Sequence, residues 1–243
     1  MRLKELKSVL PEDLYKVLED QGIVDMRPAQ KKAVDSGVLE GSSLLVCTPT
    51  ASGKTLIAEL AAAKNIIEGT GKAVYIVPLK ALAGEKFREF RKKYDSLFRI
   101  ALSIGDIDSA DSYLVDYDLI ICTAEKFDSL IRHHAPWLKY VKTVIIDEVH
   151  LLNDPGRGPT LEILITILRQ VLENVQLIAL SATIGNPEEL AGWLEAGLIV
   201  DRWRPVELKK AMYYNGEIEY HNIAEDDDKE NRKILKKDKE KSR

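Results

Sequence analysis

Six short apolar runs punctuate the chain: Leu44-Leu45-Val46-Cys47, Ala73 to Val77, Arg99 to Leu102, Leu119 to Cys122, Thr143 to Ile146 and Leu177 to Leu180. They are near-continuously apolar rather than alternating, so each predicts a strand buried on both faces. Between them, helical periodicity runs from about Lys54 to Glu68, Leu79 to Tyr94, Glu125 to Arg132, Pro159 to Leu172 and Pro187 to Leu194, with prolines at first-turn positions. Strand and helix repeating in this order predicts an α/β fold, a mostly parallel sheet with helices on both faces. Ligands of such sheets bind at the carboxyl ends of the strands, so the residues just after each run are the informative ones.

Residues 1 to 40 look helical, with Leu14, Val17, Leu18, Ala29, Ala33 and Val34 on apolar faces, and are expected to pack on the sheet. After Val200 the pattern weakens, and the alternating stretch from Val206 to Tyr220 reads as a hairpin around Asn215-Gly216. From Glu225 onward, seven acids and eight bases with almost nothing apolar predict a solvated tail.

A chain of 243 residues, 45% hydrophobic and 30% charged, can bury one large core or two small ones. Its net charge of -4 gives no global attraction for polyanions, so any nucleic-acid contact must be local. Cys47 and Cys122 sit inside apolar runs, which excludes a disulfide framework and a Cys-rich zinc site and predicts a reduced, cytoplasmic setting. The start, Met-Arg-Leu-Lys-Glu-Leu-Lys, lacks the apolar stretch of a signal peptide. No later segment approaches the roughly 20 uncharged residues of a membrane span.

Thr48-Pro49-Thr50-Ala51-Ser52-Gly53-Lys54-Thr55 follows the first apolar run and opens the first long helix, the context of a phosphate-binding loop. Backbone amides from Thr50 to Gly53 would face the phosphates of ATP, and Gly53 permits their close approach. Lys54 supplies positive charge for the β- and γ-phosphates, and the Thr55 hydroxyl can ligate Mg²⁺. The strict pattern has glycine where this chain has Thr48. Asp147-Glu148-Val149-His150 follows Val144-Ile145-Ile146, bringing two carboxylates to the same sheet edge. Asp147 would hold Mg²⁺ and Glu148 would polarise the attacking water. Oxygen ligands without a Cys or His cluster favour Mg²⁺ over zinc.

These residues resemble the P-loop NTPases of superfamily 2, the DExH-box helicases, whose motor domains are RecA-like. Arg27-Pro28-Ala29-Gln30 is similar to the family's adenine-reading motif. Pro78-Leu79-Lys80-Ala81-Leu82, Thr123-Ala124-Glu125-Lys126 and Ser181-Ala182-Thr183 resemble later helicase motifs in the expected order. The phosphate loop, Asp147 to His150, Arg157-Gly158-Pro159 and Arg204-Pro205-Val206-Glu207-Leu208 look like the Ski-like branch. That branch includes archaeal repair helicases of the Holliday-junction-migration type and exosome-associated RNA helicases, and the archaeal DNA-directed members are the better match.

The resemblance implies that Gln30 bonds N6 and N7 of adenine, a pairing that suits a side-chain amide. It implies that Ser181 and Thr183 hydrogen-bond His150 or the acids, so that these three couple nucleotide state to the nucleic-acid face. It also implies that Lys80, Thr123 and Arg157 contact the backbone of single-stranded DNA or RNA without reading sequence. A surface ion pair is an equal alternative for Arg157. His133-His134 read as loop residues, Trp137 and Trp193 as packing anchors, and the two cysteines as small buried hydrophobes.

Together these features divide the chain into residues 1–200, a RecA-like ATP-binding domain with its leading helices; 201–223, a strand or hairpin linker toward a second RecA-like domain; and 224–243, a charged flexible tail. Only the first RecA-like motif set is present. The expectation is an excised or truncated monomeric domain that binds nucleotide and does not unwind. An RNA helicase of the same branch, another P-loop enzyme and a nucleotide-binding interaction module remain as alternatives.

Overall fold

In the computed structural model, residues 1–105, 111–172, 174–206, 210–214 and 217–221 are described. The leading segment folds into α1 (Glu12–Asp20) and α2 (Pro28–Asp35), separated from β1 (Leu44–Cys47) by a short 3-10 turn, Val38–Glu40. There follow α3 (Lys54–Ile67), β2 (Lys72–Val77), α4 (Lys80–Tyr94), β3 (Ile100–Ser103), β4 (Leu119–Thr123), α5 (Ala124–Arg132) and β5 (Val141–Ile146). Next come α6 (Gly158–Val171), β6 (Gln176–Ser181), α7 (Pro187–Leu194), β7 (Gly197–Val200), β8 (Lys210–Tyr214) and β9 (Glu217–His221).

Seven strands form one sheet in the order β3-β4-β2-β5-β6-β1-β7, and every pairing in it is parallel. The period-2 geometry of a strand sends alternate residues to opposite faces, which is why continuous apolar runs are required here. Val46, Tyr75, Ile121, Ile145, Ile178 and Leu180 enter one core with α1 to α4. Leu45, Val74, Ile76, Ile120, Val144, Ile146 and Ala179 enter the other with α5 to α7. Leu14, Leu18, Ala29 and Ala33 are buried in the first core, as their helical spacing predicts.

The structure adds β7, which the sequence reading ended at Val200 without recognising as a strand. It pairs only with β1, and of its four residues only Ile199 is buried, so it lacks a two-faced apolar run. The first compact unit extends past Val200 to Arg204, and a second begins at Pro205. Asp201 explains the extension: its amide donates to the Cys47 carbonyl at 3.2 Å and its carboxylate pairs with Lys32 of α2 at 2.9 Å. In the second unit β8 and β9 pair antiparallel, with Tyr214 opposite Glu217. Residues 215–216 of the expected hairpin, 207–208 of the closing motif and the tail from 224 onward lie outside the described residues. No helix among the described residues is long and apolar enough to cross a membrane.

Candidate nucleotide site

Loop 48–53 leaves β1 and turns into α3 through two left-handed residues, Ala51 at φ 65° and Gly53 at φ 90°. A Cβ on Gly53 would also sit 2.5 Å from Gln30 Nε2, so both backbone and space demand glycine. Thr48, where the strict pattern has glycine, is fully buried. It accepts a hydrogen bond from Ser52 Oγ at 2.7 Å, while its amide donates to the Ser181 carbonyl at 3.2 Å. The threonine hydroxyl thus ties the two ends of the loop together. Thr50 and Ala51 are exposed, and Thr55 is half-buried in the first turn of α3.

The adenine-motif segment is fastened to this loop. Arg27 Nη1 donates to the Ala51 carbonyl at 2.6 Å, and Gln30 Nε2 donates to the Gly53 carbonyl at 2.9 Å. Gln30 Oε1 accepts from the Arg27 amide at 2.8 Å, bonding back to the residue before Pro28 and capping α2. The Arg27 guanidinium lies 5.5 Å from the centre of the Trp203 ring, and the Trp203 amide donates to Asp201 Oδ1 at 2.8 Å. Sequence reading gave Arg27 no role of its own, because its partners are a backbone carbonyl and a distant indole.

The carboxylates emerge from β5 as expected. Lys54 Nζ donates to both Glu148 oxygens at 3.3 Å. His150 Nδ1 lies 3.2 Å from Glu148 Oε2, at ion-pair distance but without hydrogen-bond geometry. Glu148 itself is left-handed at φ 53°, a conformation unusual for a residue with a side chain. Asp147 Oδ2 accepts from the Tyr75 hydroxyl at 2.9 Å and Oδ1 from the Glu148 amide at 3.0 Å. Burial pushes the Asp147 carboxyl above its usual range; the Tyr75 bond opposes the shift, and the Glu148 charge adds to it. A half-buried carboxylate with lone pairs to spare, lining the same cleft as Thr55, is an oxygen donor set of the kind Mg²⁺ takes. Arg27, Thr50 to Lys54 apart from Ser52, Thr55, Lys86, Asp147 and Glu148 line one cleft of about 810 Å³.

The residues matched to nucleic-acid and coupling motifs divide. Lys80, at the start of α4, and Arg157, beside the start of α6, are exposed, and neither makes an ion pair among the described residues. Arg157 borders a second, small cleft with Pro78, Glu125, Asp147 and Glu148. Thr123 lies deeper than expected: it is 4% exposed, and its hydroxyl caps α5 by accepting from the Lys126 amide at 3.4 Å. Ser181 and Thr183 also depart from expectation, since neither hydroxyl bonds His150 or the acids. Ser181 is fully buried opposite Cys47, and its Oγ makes no hydrogen bond to an oxygen or nitrogen among the described residues, whereas Thr183 is exposed beyond the end of β6. Trp137 is the buried anchor predicted, but Trp193 is 37% exposed. Burial raises both cysteine thiols, as suits inert core residues.

The description DEAD/DEAH box helicase matches residues 27–190, from Arg27 to just beyond the start of α7. The chain belongs to this family. Among DEAD/DEAH relatives, the ATP-dependent DNA helicase Hel308 of Pyrococcus abyssi is 54% identical over 89% of this chain and 30% of its own length. The Hel308 of Methanocaldococcus jannaschii is 55% identical over 86% of this chain and 18% of its own length. The chain thus spans under a third of these curated relatives. A solved structure of the DUF1998 helicase MrfA bound to DNA and AMPPNP superposes with TM-score 0.69 at 28% identity, covering 80% of this chain and 29% of that one. The RecA-like helicase fold is shared throughout.

Proposed function

We propose that this chain is the ATP-binding motor domain of an ATP-dependent helicase that acts on DNA in repair or replication-fork processing. The observation that carries the reading is the meeting of Lys54 with Glu148, beside Asp147, in a cleft roofed by the phosphate loop. In this reading the amides of Thr50, Ala51, Ser52 and Gly53 cradle the phosphates, and Gln30 meets the adenine. Lys54 exchanges Glu148 for the β- and γ-phosphates when ATP arrives, which releases the carboxylate to polarise water. Asp147 and Thr55 are the residues that would hold Mg²⁺, and the ion would supply neutralising charge for the phosphoryl oxygens. His150, already at ion-pair distance from Glu148, senses the change, with Ser181 beneath the loop and Thr183 at the strand end as further coupling positions.

Lys80 and Arg157, which make no ion pair among the described residues, offer cations to a phosphodiester backbone, and Thr123, whose hydroxyl oxygen accepts from Lys126, has its hydroxyl hydrogen for the same purpose. The Hel308 names and the DNA-bound MrfA structure favour DNA over RNA as the strand. A second RecA-like domain is the natural partner, because charge on the transferring group needs cations from the far side of the cleft. An arginine placed there is worth about 10³- to 10⁵-fold in rate.

The 243-residue polypeptide by itself is expected to bind Mg-ATP, hydrolyse it very slowly, hold single strands weakly with strong salt dependence, and separate no duplex. Calorimetry with Lys54→Ala tests the first part, with loss of nucleotide binding and an unchanged fold expected. A strand-displacement assay beside a full-length Hel308 tests the last, and equal unwinding by the two would overturn the assignment.

A further inference from the structure

We propose that Tyr75 is a positioning residue for the metal-holding carboxylate: its buried hydroxyl fixes Asp147 from within the sheet. The inference rests on the assignment of Asp147 to Mg²⁺ made above. Tyr75 lies in the middle of β2 with 0% exposure, in a strand whose other members after Lys72 are aliphatic. A phenol hydroxyl is costly to bury without a partner, and this one donates to Asp147 Oδ2 at 2.9 Å, its one partner among the described residues.

The geometry at Asp147 makes the bond consequential. Its other oxygen accepts the Glu148 amide at 3.0 Å, so the two bonds together fix the carboxylate plane and leave one lone-pair region on each oxygen for the cleft. Without the phenol, rotation about the Asp147 side chain is restrained by one backbone amide only. The ring is fixed in turn: Tyr75 meets Phe90 of α4 edge-on at 5.3 Å, and Phe90 meets Tyr94 at 5.9 Å. The hydroxyl is therefore held by a packed aromatic column rather than by solvent. The column continues to Phe98, stacked on Tyr94 at 5.6 Å, and Tyr94 donates to the buried Glu59 at 2.6 Å, as Lys93 does at 2.8 Å.

Tyr94 supplies the control, a buried phenol in the same column whose hydroxyl bonds Glu59 rather than Asp147. The experiment titrates Mg²⁺ against ATP binding, by calorimetry, in the 243-residue chain and its Tyr75→Phe, Tyr94→Phe, Asp147→Asn and Tyr75→Phe/Asp147→Asn variants. Partners that orient a metal ligand typically contribute 10- to 100-fold to metal affinity. Tyr75→Phe should raise the Mg²⁺ midpoint by about that factor while leaving ATP affinity in EDTA unchanged. Tyr94→Phe should leave the midpoint where it is, and the double variant should be no worse than Asp147→Asn alone. An unmoved midpoint in Tyr75→Phe, with Asp147→Asn shifted, would reduce Tyr75 to packing and overturn the proposal. Additive effects in the double variant, which can be compared even if Tyr75→Phe lowers stability, would overturn it too. A midpoint unmoved by Asp147→Asn would instead remove the metal assignment and the inference with it.

Discussion

Gln30 carries two kinds of bond at once. One amide hydrogen goes to the Gly53 carbonyl and one oxygen lone pair to the Arg27 amide, leaving one donor and one acceptor for a base. Adenine presents the matching pair, N6–H and N7, whereas guanine presents two acceptors on that edge. Gln30→Ala should therefore reduce the preference for ATP over GTP by about 1–3 kcal/mol. It should also weaken both nucleotides, because the tie to the phosphate loop goes with it. Competition binding of the two triphosphates measures both effects, and an unchanged preference would return Gln30 to a purely structural role. Lys54, Asp147 and Glu148 were legible from sequence because their chemistry is local to a strand end. Tyr75 was not: it reads as one more member of an apolar run, and its partner lies 72 positions on. The available signal was the polar tip itself, in a strand buried on both faces.

At the scale of elements, periodicity located α3, α4, α6 and α7 to within a residue or two, since each has an apolar face against a sheet. It could not find β7, whose single buried side chain carries no period. Nor could it sort Ser181 from Thr183, because Ser181 closes β6 inside the sheet while Thr183 lies beyond the strand, where its alternation no longer applies. The junction before α6 shows why a short motif constrains an element. Gly158 starts the helix where the 3-10 turn Val149–Asn153 doubles back, and a Cβ there would collide with the Leu152 carbonyl. Since a backbone atom cannot swing aside, Gly158→Ala should destabilise the chain by about 1–3 kcal/mol, as overpacking does. A lowered thermal midpoint is expected, together with a displaced Arg157. An unchanged midpoint would show that the turn relaxes freely.

At the scale of the whole molecule, sequence order and sheet order disagree most at β1. The strand that delivers the phosphate loop lies between β6 and β7, and both of its hydrogen-bonded neighbours follow it by more than a hundred residues. A ligand that binds only the native state stabilises by about 2.7 kcal/mol at a hundredfold excess over Kd. The 243-residue chain should show such a rise with Mg-ATP, and a polypeptide ending before Gln176 should show none. A comparable rise in the shortened chain would mean that loop and α3 form a site without their sheet. The same topology sets a clock on the ribosome. At about 5–20 residues per second, residues 48–55 wait on the order of ten seconds after synthesis before β7 exists to close the far side of β1. Loop closure over that separation also places β1 among the late pairings. During that interval the cell's ATP has nothing formed to hold, so nucleotide capture marks the end of folding and cannot guide its beginning.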